Sequence, residues 1–276
     1  MTTHIETSPQ LPLGQAVSYP TQYAPNLLFA IARQPNRLDL NIPQSWYGAD
    51  IWYAYEISWL NPKGKPMVAV GRFSVPWNSP NLIESKSFKL YLNSFNQSQF
   101  ENADAVKKRM EHDLSAVAEA AVTVSLFNLE PYNGPLTGPL EGTVIDDLDI
   151  LVNEYKPTPE LLHCKMNGAE VNEVLVSHLL KSNCPVTNQP DWATVQISYT
   201  GPQIDAEALL RYIISFREHT GFHEHCVERI YCDIMTHCQP TQLAVIARYT
   251  RRGGLDINPW RSSHAINLAD IRTVRQ

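Results

Sequence analysis

The stretch KSNCPVTNQPDW, residues 181–192, connects two apolar stretches at 171–180 and 193–199. Its two prolines, Pro185 and Pro190, each fix φ and remove a backbone donor. This predicts an irregular connection rather than a helix interior or a central strand. The pattern therefore predicts two ordered elements joined by a stiffened loop, and this loop contains both Cys184 and Asp191.

A thiol and a carboxylate held in one loop form a candidate catalytic pair. The thiolate is the nucleophilic form of cysteine, and an acid close to it can manage the protons of the reaction. The alternative is structural. Free cysteine is commonly buried as a small apolar residue, and an aspartate after a proline is a common turn residue. From the loop alone, both interpretations of Cys184 and Asp191 stay open.

Length and composition restrict the class of protein. The chain has 276 residues, 43% of them hydrophobic, which suits one large or two modest globular domains. Its net charge of −6 argues against a broad nucleic-acid-binding surface. Five cysteines, an odd number, do not indicate a disulfide framework. The first residues, MTTHIETSPQ, lack signal-peptide features and no apolar run has the length of a membrane span, so we expect a cytoplasmic protein.

The same order of elements is predicted twice along the chain. Period-two and helical spacings predict, in the first half, strands at 51–59 and 67–75, helices near 88–95 and at 102–118, and a strand at 121–127. In the second half they predict strands at 171–180 and 193–199, helices at 206–216 and 225–235, and a strand at 243–249. KLYLNSF at 89–95 echoes LRYIISF at 210–216. The pattern predicts an internally duplicated α+β protein with two antiparallel sheets, each backed by a helix pair.

Two further segments define the predicted domain organisation. Residues 1–48, rich in Pro, Gln and Asn, are expected to form an arm that packs across the body and buries its aromatic and leucine side chains. The stretch EPYNGPLTGPLEG, residues 130–142, is a Pro- and Gly-rich break. We therefore expect an N-terminal module at 1–130, a linker at 131–150 and a C-terminal module at 151–276.

Two other stretches have features of an anion-binding site. Residues 83–95, IESKSFKLYLNSF, place Glu84, Ser85 and Lys86 in the first turn of a predicted helix, where anions are favoured. Residues 248–261, RYTRRGGLDINPWR, place two arginines before two glycines at a strand end, where a phosphate could approach the backbone. From the pattern alone, a capped helix start is the preferred explanation of the first stretch, and a basic hairpin turn explains the second as well as a phosphate site does. No GxGxxG motif follows a strand, so a Rossmann site is not supported.

A cluster of His and Cys at 221–229, GFHEHCVER, invites a metal interpretation, together with Cys232, His237 and Cys238. Zinc sites combine these residue types, but the spacing matches no zinc-finger signature and the side chains would spread around one helix. We therefore expect no metal site. His223 and Glu224, at the predicted helix start, are better placed to contact a ligand.

Taken together, these four stretches resemble the NADPH-dependent 7-cyano-7-deazaguanine reductases (QueF) of queuosine biosynthesis, in their longer, two-module form. The matching motifs are ESKSFKLYLNSF, NCPVTNQPDW, FHEHCVERI and RRGGLDINPWR, and the resemblance covers nearly the whole chain. It implies tandem tunnelling-fold (T-fold) modules and a homodimer. It also implies reduction of a small deazapurine nitrile to the primary aminomethyl compound with two NADPH, without direct contact with nucleic acid or membrane.

The resemblance also implies roles for individual residues. Cys184 is the nucleophile, Asp191 the proton donor, and His223 orients the reacting group and helps with a proton. The implied substrate-binding residues are Ile83, Glu84, Ser85, His223 and Glu224, and the implied NADPH-binding residues are Ser85, Lys86, Arg252 and Gly253. Cysteine addition to the nitrile gives a covalent thioimide, which accepts hydride more easily than the nitrile does. Either glutamate can accept adjacent N–H groups of a guanine-like ring, and the sequence does not rank the two.

Two other functions are compatible with parts of the sequence. The first is a zinc hydrolase of the tunnelling fold, similar to GTP cyclohydrolase, with His223, His225, Cys226 and Cys232 as metal ligands. The second is a non-catalytic purine-binding module in which Cys184 is merely buried. Metal analysis tests the first alternative, and relative thiol reactivity tests the second.

Overall fold

The computed structural model describes residues 19–166 and 168–276. The stretch MTTHIETSPQ and the first part of the predicted arm lie outside these residues. The strands are β1 Ala30–Ala32, β2 Tyr47–Leu60, β3 Pro66–Pro76, β4 Asn81–Ile83, β5 Thr123–Phe127, β6 Leu136–Thr137, β7 Thr143–Val144, β8 Glu170–Asn183, β9 Pro190–Pro202, β10 Gln242–Tyr249, β11 Leu255–Ser262 and β12 Ile271–Arg272. The α-helices are α1 Ser85–Asn93, α2 Ala103–Ala118, α3 Ala206–Ser215 and α4 His223–Cys238. Within the described residues, no helix is long and apolar enough to cross a membrane.

The chain divides into two compact units, and each takes a segment from a distant part of the sequence. The described part of the first unit comprises residues 19–36, Ile51–Gly134 and Arg251–Asp256. The second unit comprises Arg37–Asp50, Pro135–Thr250 and Ile257–Gln276. The predicted modules are contiguous stretches, whereas these units are not, so the module limits at 131–150 stay a prediction.

The first unit contains strands in the order β5, β3, β2, with helices α1 and α2. The predicted turn between β2 and β3 forms because the Asn61 side chain accepts two backbone N–H groups, those of Lys63 and Lys65, while Gly64 adopts a positive φ of 76°. Phe88 of α1 packs edge-to-face against Phe73 of β3, with ring centroids 5.0 Å apart. Burial of this apolar helix face against the sheet forms the core of the unit.

The second unit contains strands in the order β11, β10, β9, β8, β7, with helices α3 and α4. Strands β8, β9 and β10 pair antiparallel, and β7 pairs parallel with β8 at the edge. The predicted alternation along β9 is confirmed, because Ala193, Val195, Ile197 and Tyr199 are all buried. The coarse prediction of a mixed α/β protein with a mainly antiparallel sheet is therefore confirmed.

Matching side-chain bonds support the predicted internal duplication. The Tyr91 hydroxyl of α1 donates to Asp113 of α2 at 2.7 Å, and the Tyr212 hydroxyl of α3 donates to Asp233 of α4 at 2.6 Å. A serine three residues after each tyrosine donates to that tyrosine's carbonyl, also in both units. The residues of the KLYLNSF and LRYIISF echo thus perform the same packing task in each unit.

The structure corrects two expectations. Strand β8 continues to Asn183 and β9 begins at Pro190, so the predicted loop 181–192 is reduced to residues 184–189. Pro190 is tolerated because it is the first residue of its strand. Residues 255–262, for which no element was predicted, form the largely buried strand β11. In the arm, Tyr23 packs onto Phe95 and donates to Asp113, but Tyr19 is exposed.

Candidate active site

The turn between β8 and β9 presents Cys184. The Cys184 N–H donates to the Gln189 carbonyl at 2.9 Å, and its carbonyl accepts from the Asn188 N–H at 2.9 Å. Asn188 adopts a left-handed conformation with φ of 55°, which asparagine tolerates better than most residues. Because both ends of the turn are closed by backbone hydrogen bonds, the backbone that carries the thiol is fixed, and the residue is only 7% exposed.

Asp191 and His223 are brought together by the start of β9 and the start of α4. Asp191 is buried and lies opposite Ser182 in the β8–β9 pair. The His223 Nε2 atom lies 3.6 Å from Asp191 Oδ1. At this separation an imidazolium would be paired electrostatically with the carboxylate, although the distance exceeds that of a hydrogen bond.

The segment before α4 is fixed to the end of β8, and this places His223. The Asn183 N–H donates to the His219 carbonyl at 2.8 Å, and the Gly221 N–H donates to the Asn183 carbonyl at 3.0 Å. Helix α4 then begins at His223, two residues before the predicted start. Glu224 is buried in the first turn of α4, where the helix dipole stabilises a negative charge.

The other four cysteines have thiols of low reactivity. Burial raises the pKa of Cys226, Cys232 and Cys238 to about 12, and burial also raises the pKa of Cys164. A thiol with such a pKa contains very little thiolate at neutral pH, and the thiolate is the nucleophilic form. These four residues are therefore poor candidates for nucleophilic catalysis.

Helix α4 does not assemble the ligand set of the zinc alternative. Cys226 and Cys232 are buried in the core, whereas His225 lies toward Asp39, 3.8 Å from its carboxylate. Across residues 19–166 and 168–276, no group of three or more His, Cys, Asp or Glu side chains is arranged to hold a metal ion. The tunnelling-fold zinc hydrolase thus has no ligand cluster in the described part of the chain.

In the first unit, Glu84 is the N-cap of α1 rather than part of its first turn. Its carboxylate accepts from the Lys86 N–H at 2.9 Å and from the Ser87 N–H at 2.6 Å. The side chain is buried, and the residue before it, Ile83, pairs with Ala30 of β1. Both carboxylate oxygens therefore already serve the helix end, although each retains capacity for a further hydrogen bond.

Lys89 joins the predicted cations of the first unit and was missed by the sequence analysis. It lines a cavity of about 240 Å³ together with Glu56, Asn93, Asn96 and Gly253. Burial is the largest cause that lowers the pKa of Lys89; the charges of Arg252 and Lys86 lower it further, while the carboxylates of Glu56 and Glu84 oppose them. Lys86 and Lys89 are three residues apart on α1 and so share a helix face, which is the signal that could have identified Lys89.

Gly253 lies in a left-handed turn beside the end of the Lys89 side chain. It has a positive φ of 56°, and a Cβ atom built on it would lie 2.3 Å from Lys89 Nζ. The Arg252 N–H donates to the Leu255 carbonyl at 2.9 Å, which closes the glycine turn. A turn is therefore present at the two predicted glycines, and its role in binding an anion stays a prediction. Glycine is needed here because the turn requires a left-handed residue beside a lysine.

Comparison with known proteins decides the family. Residues 19–126 match the family described as nitrile reductase, 7-cyano-7-deazaguanine-reductase N-term, and residues 190–267 match the QueF-like protein family. A protein of Dechloromonas aromatica is 56% identical over 280 residues, covering 100% of this chain and 99% of its own. A protein of Bordetella pertussis is 55% identical over 268 residues, covering 96% of this chain and 98% of its own. Both are named NADPH-dependent 7-cyano-7-deazaguanine reductase. The chain belongs to this family.

Membership in the 7-cyano-7-deazaguanine reductase family confirms the resemblance seen in the four motifs. The relatives' names agree with the predicted enzyme class, oxidoreductase, and with the predicted cofactor, NADPH. The structure groups the predicted residues into two sets. The first unit holds Ile83, Glu84, Ser85, Lys86, Arg252 and Gly253, and the second unit holds Cys184, Asp191, His223 and Glu224. The roles of these residues in a reductase stay predictions, and their arrangement supports the proposal that follows.

Proposed function

We propose that the chain reduces the nitrile of 7-cyano-7-deazaguanine to the aminomethyl group of 7-aminomethyl-7-deazaguanine in queuosine biosynthesis. The balanced reaction consumes one nitrile, two NADPH and two protons, and it yields one primary amine and two NADP⁺. The observation that carries the proposal is the combination of a fixed cysteine turn with the Asp191–His223 pair. Nucleophile, acid and base within one small region are what covalent catalysis on a nitrile requires.

In the first step, the Cys184 sulfur adds to the nitrile carbon. A carbon–sulfur bond forms, one π bond of the nitrile breaks, and the nitrogen takes a proton to give a neutral thioimide. The closed turn around Cys184 supports this step because a fixed thiol loses little freedom when it attacks. The thioimide carbon is a better hydride acceptor than the nitrile carbon, so the addition prepares the substrate for reduction.

Asp191 and His223 manage the protons. Asp191 is buried and supplies the proton for the nitrile nitrogen, and His223 beside it orients the acid and relays protons as the thiol is regenerated. After the first hydride addition, the nitrogen lone pair forms a carbon–nitrogen double bond as the carbon–sulfur bond breaks, and Cys184 leaves with the bonding pair. The imine that remains accepts the second hydride at carbon. A proton must then return to sulfur or to the developing amine, and the Asp191–His223 pair is the group positioned to deliver it.

Glu224 and Glu84 are both candidates for recognition of the deazaguanine ring. The two carboxylate oxygens of Glu84 accept N–H groups of the α1 helix end, and each retains capacity for a further hydrogen bond. Glu224 is buried next to His223, and a carboxylate at this position can accept two adjacent N–H groups of the ring while His223 faces the reacting group. We therefore assign base recognition to the two glutamates without ranking them, and to Ile83 and Ser85 a supporting part in substrate binding.

The first unit fits the phosphates of NADPH. Lys86, Lys89 and Arg252 lie close enough together for the two neighbours to lower the pKa of Lys89, in addition to the larger effect of burial, although Glu56 and Glu84 offset part of this repulsion. A phosphate would pair with these cations, and the bare backbone at Gly253 allows a close approach. Ser85, at the first position of α1, adds a hydroxyl donor. When bound at these residues, NADPH supplies the hydride for each of the two reductions.

The assembly is also proposed from the fold and the resemblance. The repeated element order and the paired Tyr–Asp bonds support tandem T-fold modules, one built on α1 and α2 and the other on α3 and α4. We further infer a homodimer, as the resemblance implies.

Intact-mass spectrometry tests the proposed reaction. The protein is mixed with 7-cyano-7-deazaguanine without NADPH, alongside the variants Cys184→Ala and Cys164→Ser. We expect a mass gain equal to the whole nitrile compound in the wild type and in Cys164→Ser, and no gain in Cys184→Ala. An adduct that persists in Cys184→Ala would refute the assigned nucleophile. Absence of any adduct, with no nitrile-dependent oxidation of NADPH, would refute the proposed reaction itself.

A further inference from the structure

Tyr249 packs directly against His223. It is the last residue of β10, and its side chain is fully buried. The ring centroids of Tyr249 and His223 lie 4.1 Å apart, with an interplanar angle of 83°. This is an edge-to-face contact at a separation that leaves no room for another group between the two rings. Neither the sequence analysis nor the roles proposed above assign anything to Tyr249.

The backbone around Tyr249 is fixed to the strand that carries Asp191. Tyr249 pairs with Ala193 in the β9–β10 ladder, and the next residue, Thr250, donates its N–H to the Trp192 carbonyl at 2.8 Å. Ala193 and Trp192 follow Asp191 directly along β9. The Tyr249 ring is therefore built on the same rigid ladder as the carboxylate that His223 faces.

The hydroxyl end of Tyr249 is buried close to the Cys226 thiol, the Ser182 hydroxyl and the Asp191 carboxylate, and it has no hydrogen-bond partner among the described residues. Ser182 lies opposite Asp191 in the β8–β9 pair. Burial raises the pKa of Tyr249 well above its ordinary value and raises the pKa of Cys226 to about 12. Both side chains are therefore neutral at physiological pH, and Tyr249 acts on His223 through packing rather than through its own charge.

We propose that Tyr249 is a positioning residue of the nitrile reduction, whose ring holds the His223 imidazole with Nε2 turned toward Asp191. The proposal rests on the roles assigned above to Asp191 and His223. Because the Tyr249 ring packs against the His223 imidazole, rotation of the imidazole about its Cβ–Cγ bond would bring it into collision with the tyrosine ring. The 3.6 Å approach of Nε2 to Asp191 is thereby maintained before substrate binds.

Substitutions at Tyr249 separate positioning from mere stability. Tyr249→Phe keeps the ring, and Tyr249→Met fills a similar volume without a planar face. Tyr199→Met is the matched control, because Tyr199 is a buried tyrosine of β9 whose hydroxyl contacts Glu173 and the Ile204 N–H instead of His223. For each variant, kcat and KM for the nitrile are measured, and the His223 imidazole is titrated by NMR.

We expect Tyr249→Phe to stay within about 3-fold of the wild-type kcat, and Tyr249→Met to lose at least about 10-fold in kcat with a nitrile KM changed less than about 3-fold. The titration midpoint of His223 should move in Tyr249→Met and stay in place in Tyr249→Phe and Tyr199→Met. Tyr199→Met should lower the melting temperature without lowering kcat.

Two results would overturn the positioning role. One is a folded Tyr249→Met variant with wild-type kcat and an unchanged His223 titration, and the other is an equal loss of kcat in Tyr199→Met. If Tyr249→Met does not fold, Tyr249→Leu takes its place under the same criteria. The NMR titration needs no turnover. A wild type that fails to reduce the nitrile, while His223 still responds to Tyr249→Met, would therefore refute the proposed reaction and not the contact.

Discussion

The Nε2 atom of His223 lies 3.6 Å from Oδ1 of Asp191, a distance that suits an ion pair but exceeds the length of a hydrogen bond. Asp191 lies on β9 and His223 begins α4. Strand β9 pairs with β8, and hydrogen bonds between Asn183 at the end of β8 and the segment 219–221 bring α4 to this strand pair. Catalytic contacts are often long in a free enzyme and shorten when substrate binds. The proton transfer proposed for this pair therefore requires the contact to shorten when substrate binds.

Asp191→Asn tests the proton donor. The amide keeps the shape of the carboxyl group but cannot release a proton to the nitrile nitrogen, so we expect kcat to fall by about 100-fold or more. Asp146→Asn is the control, because Asp146 is a structural carboxylate of the same unit that accepts from the Ser177 hydroxyl and the His178 N–H. The measurement is the steady-state rate of NADPH oxidation by the wild type and both variants. A near-wild-type rate in Asp191→Asn would show that Asp191 is not the proton donor.

Much of the fold could be predicted from local periodicity. The alternation of Ala193, Val195, Ile197 and Tyr199 predicts β9 because one face of a strand must be buried, and the structure buries all four. The extent of the loop at 181–192 could not be predicted in the same way. Pro190 reads as a strand breaker locally, and only the pairing of β8 with β9 shows that its position is the first residue of a strand.

The candidate site could be predicted only in part. From the residues alone, Cys184 could be either a nucleophile or a buried core residue, and its predicted role came from the family resemblance. The approach of His223 to Asp191 depends on backbone bonds between distant segments, which no spacing in the sequence reveals. The contact of Tyr249 with His223 depends on strand order, because β10 pairs with the strand that carries Asp191.

Lys89 should matter for NADPH and not for the nitrile. Lys89→Ala removes one of the positive charges beside Gly253, and we expect KM for NADPH to rise about 10-fold while KM for the nitrile changes little. Lys86→Ala should follow the same pattern. Lys107→Ala, a substitution at a partly exposed lysine of α2 in the same unit, is the control. A larger effect on the nitrile KM than on the NADPH KM would reassign these lysines to the substrate.

Thiol labelling should single out Cys184. Burial raises the pKa of Cys226, Cys232 and Cys238 to about 12, so their thiolate fraction at pH 8 is very small. We expect iodoacetamide to modify Cys184 at least about 10-fold faster than these three, as measured by peptide mass spectrometry over time. Preincubation with the nitrile should protect Cys184 alone. Equal rates at all cysteines would favour the non-catalytic purine-binding alternative.

Glu228 should make stability depend on pH in acid. Its carboxylate is buried and pairs with Arg261 at 2.6 Å and with Arg37 at 2.5 Å. Burial alone would raise the pKa of Glu228, but the two arginines outweigh it and hold the pKa at about 2, below the ordinary 4.5. A carboxyl group with a lowered folded-state pKa stabilises the protein above pH 4.5, and this contribution is lost as the pH falls toward 2.

Glu228→Gln should therefore lower the free energy of unfolding at pH 7 by about 3 kcal/mol, because it takes the shared carboxylate away from Arg37 and from the buried Arg261, to which Asp50 still supplies one counter-charge. The difference from the wild type should stay constant down to about pH 4.5 and shrink below it, because Glu228 of the unfolded wild-type chain then takes up a proton while the folded carboxylate stays charged down to about pH 2. Urea unfolding at pH 7, 4 and 3 measures this. Glu207→Gln, which breaks an exposed pair with Arg211, is the control and should change stability by no more than about 0.5 kcal/mol at any of these pH values. A Glu228→Gln difference that does not shrink in acid would show that Glu228 stabilises the protein through packing and not through its charge.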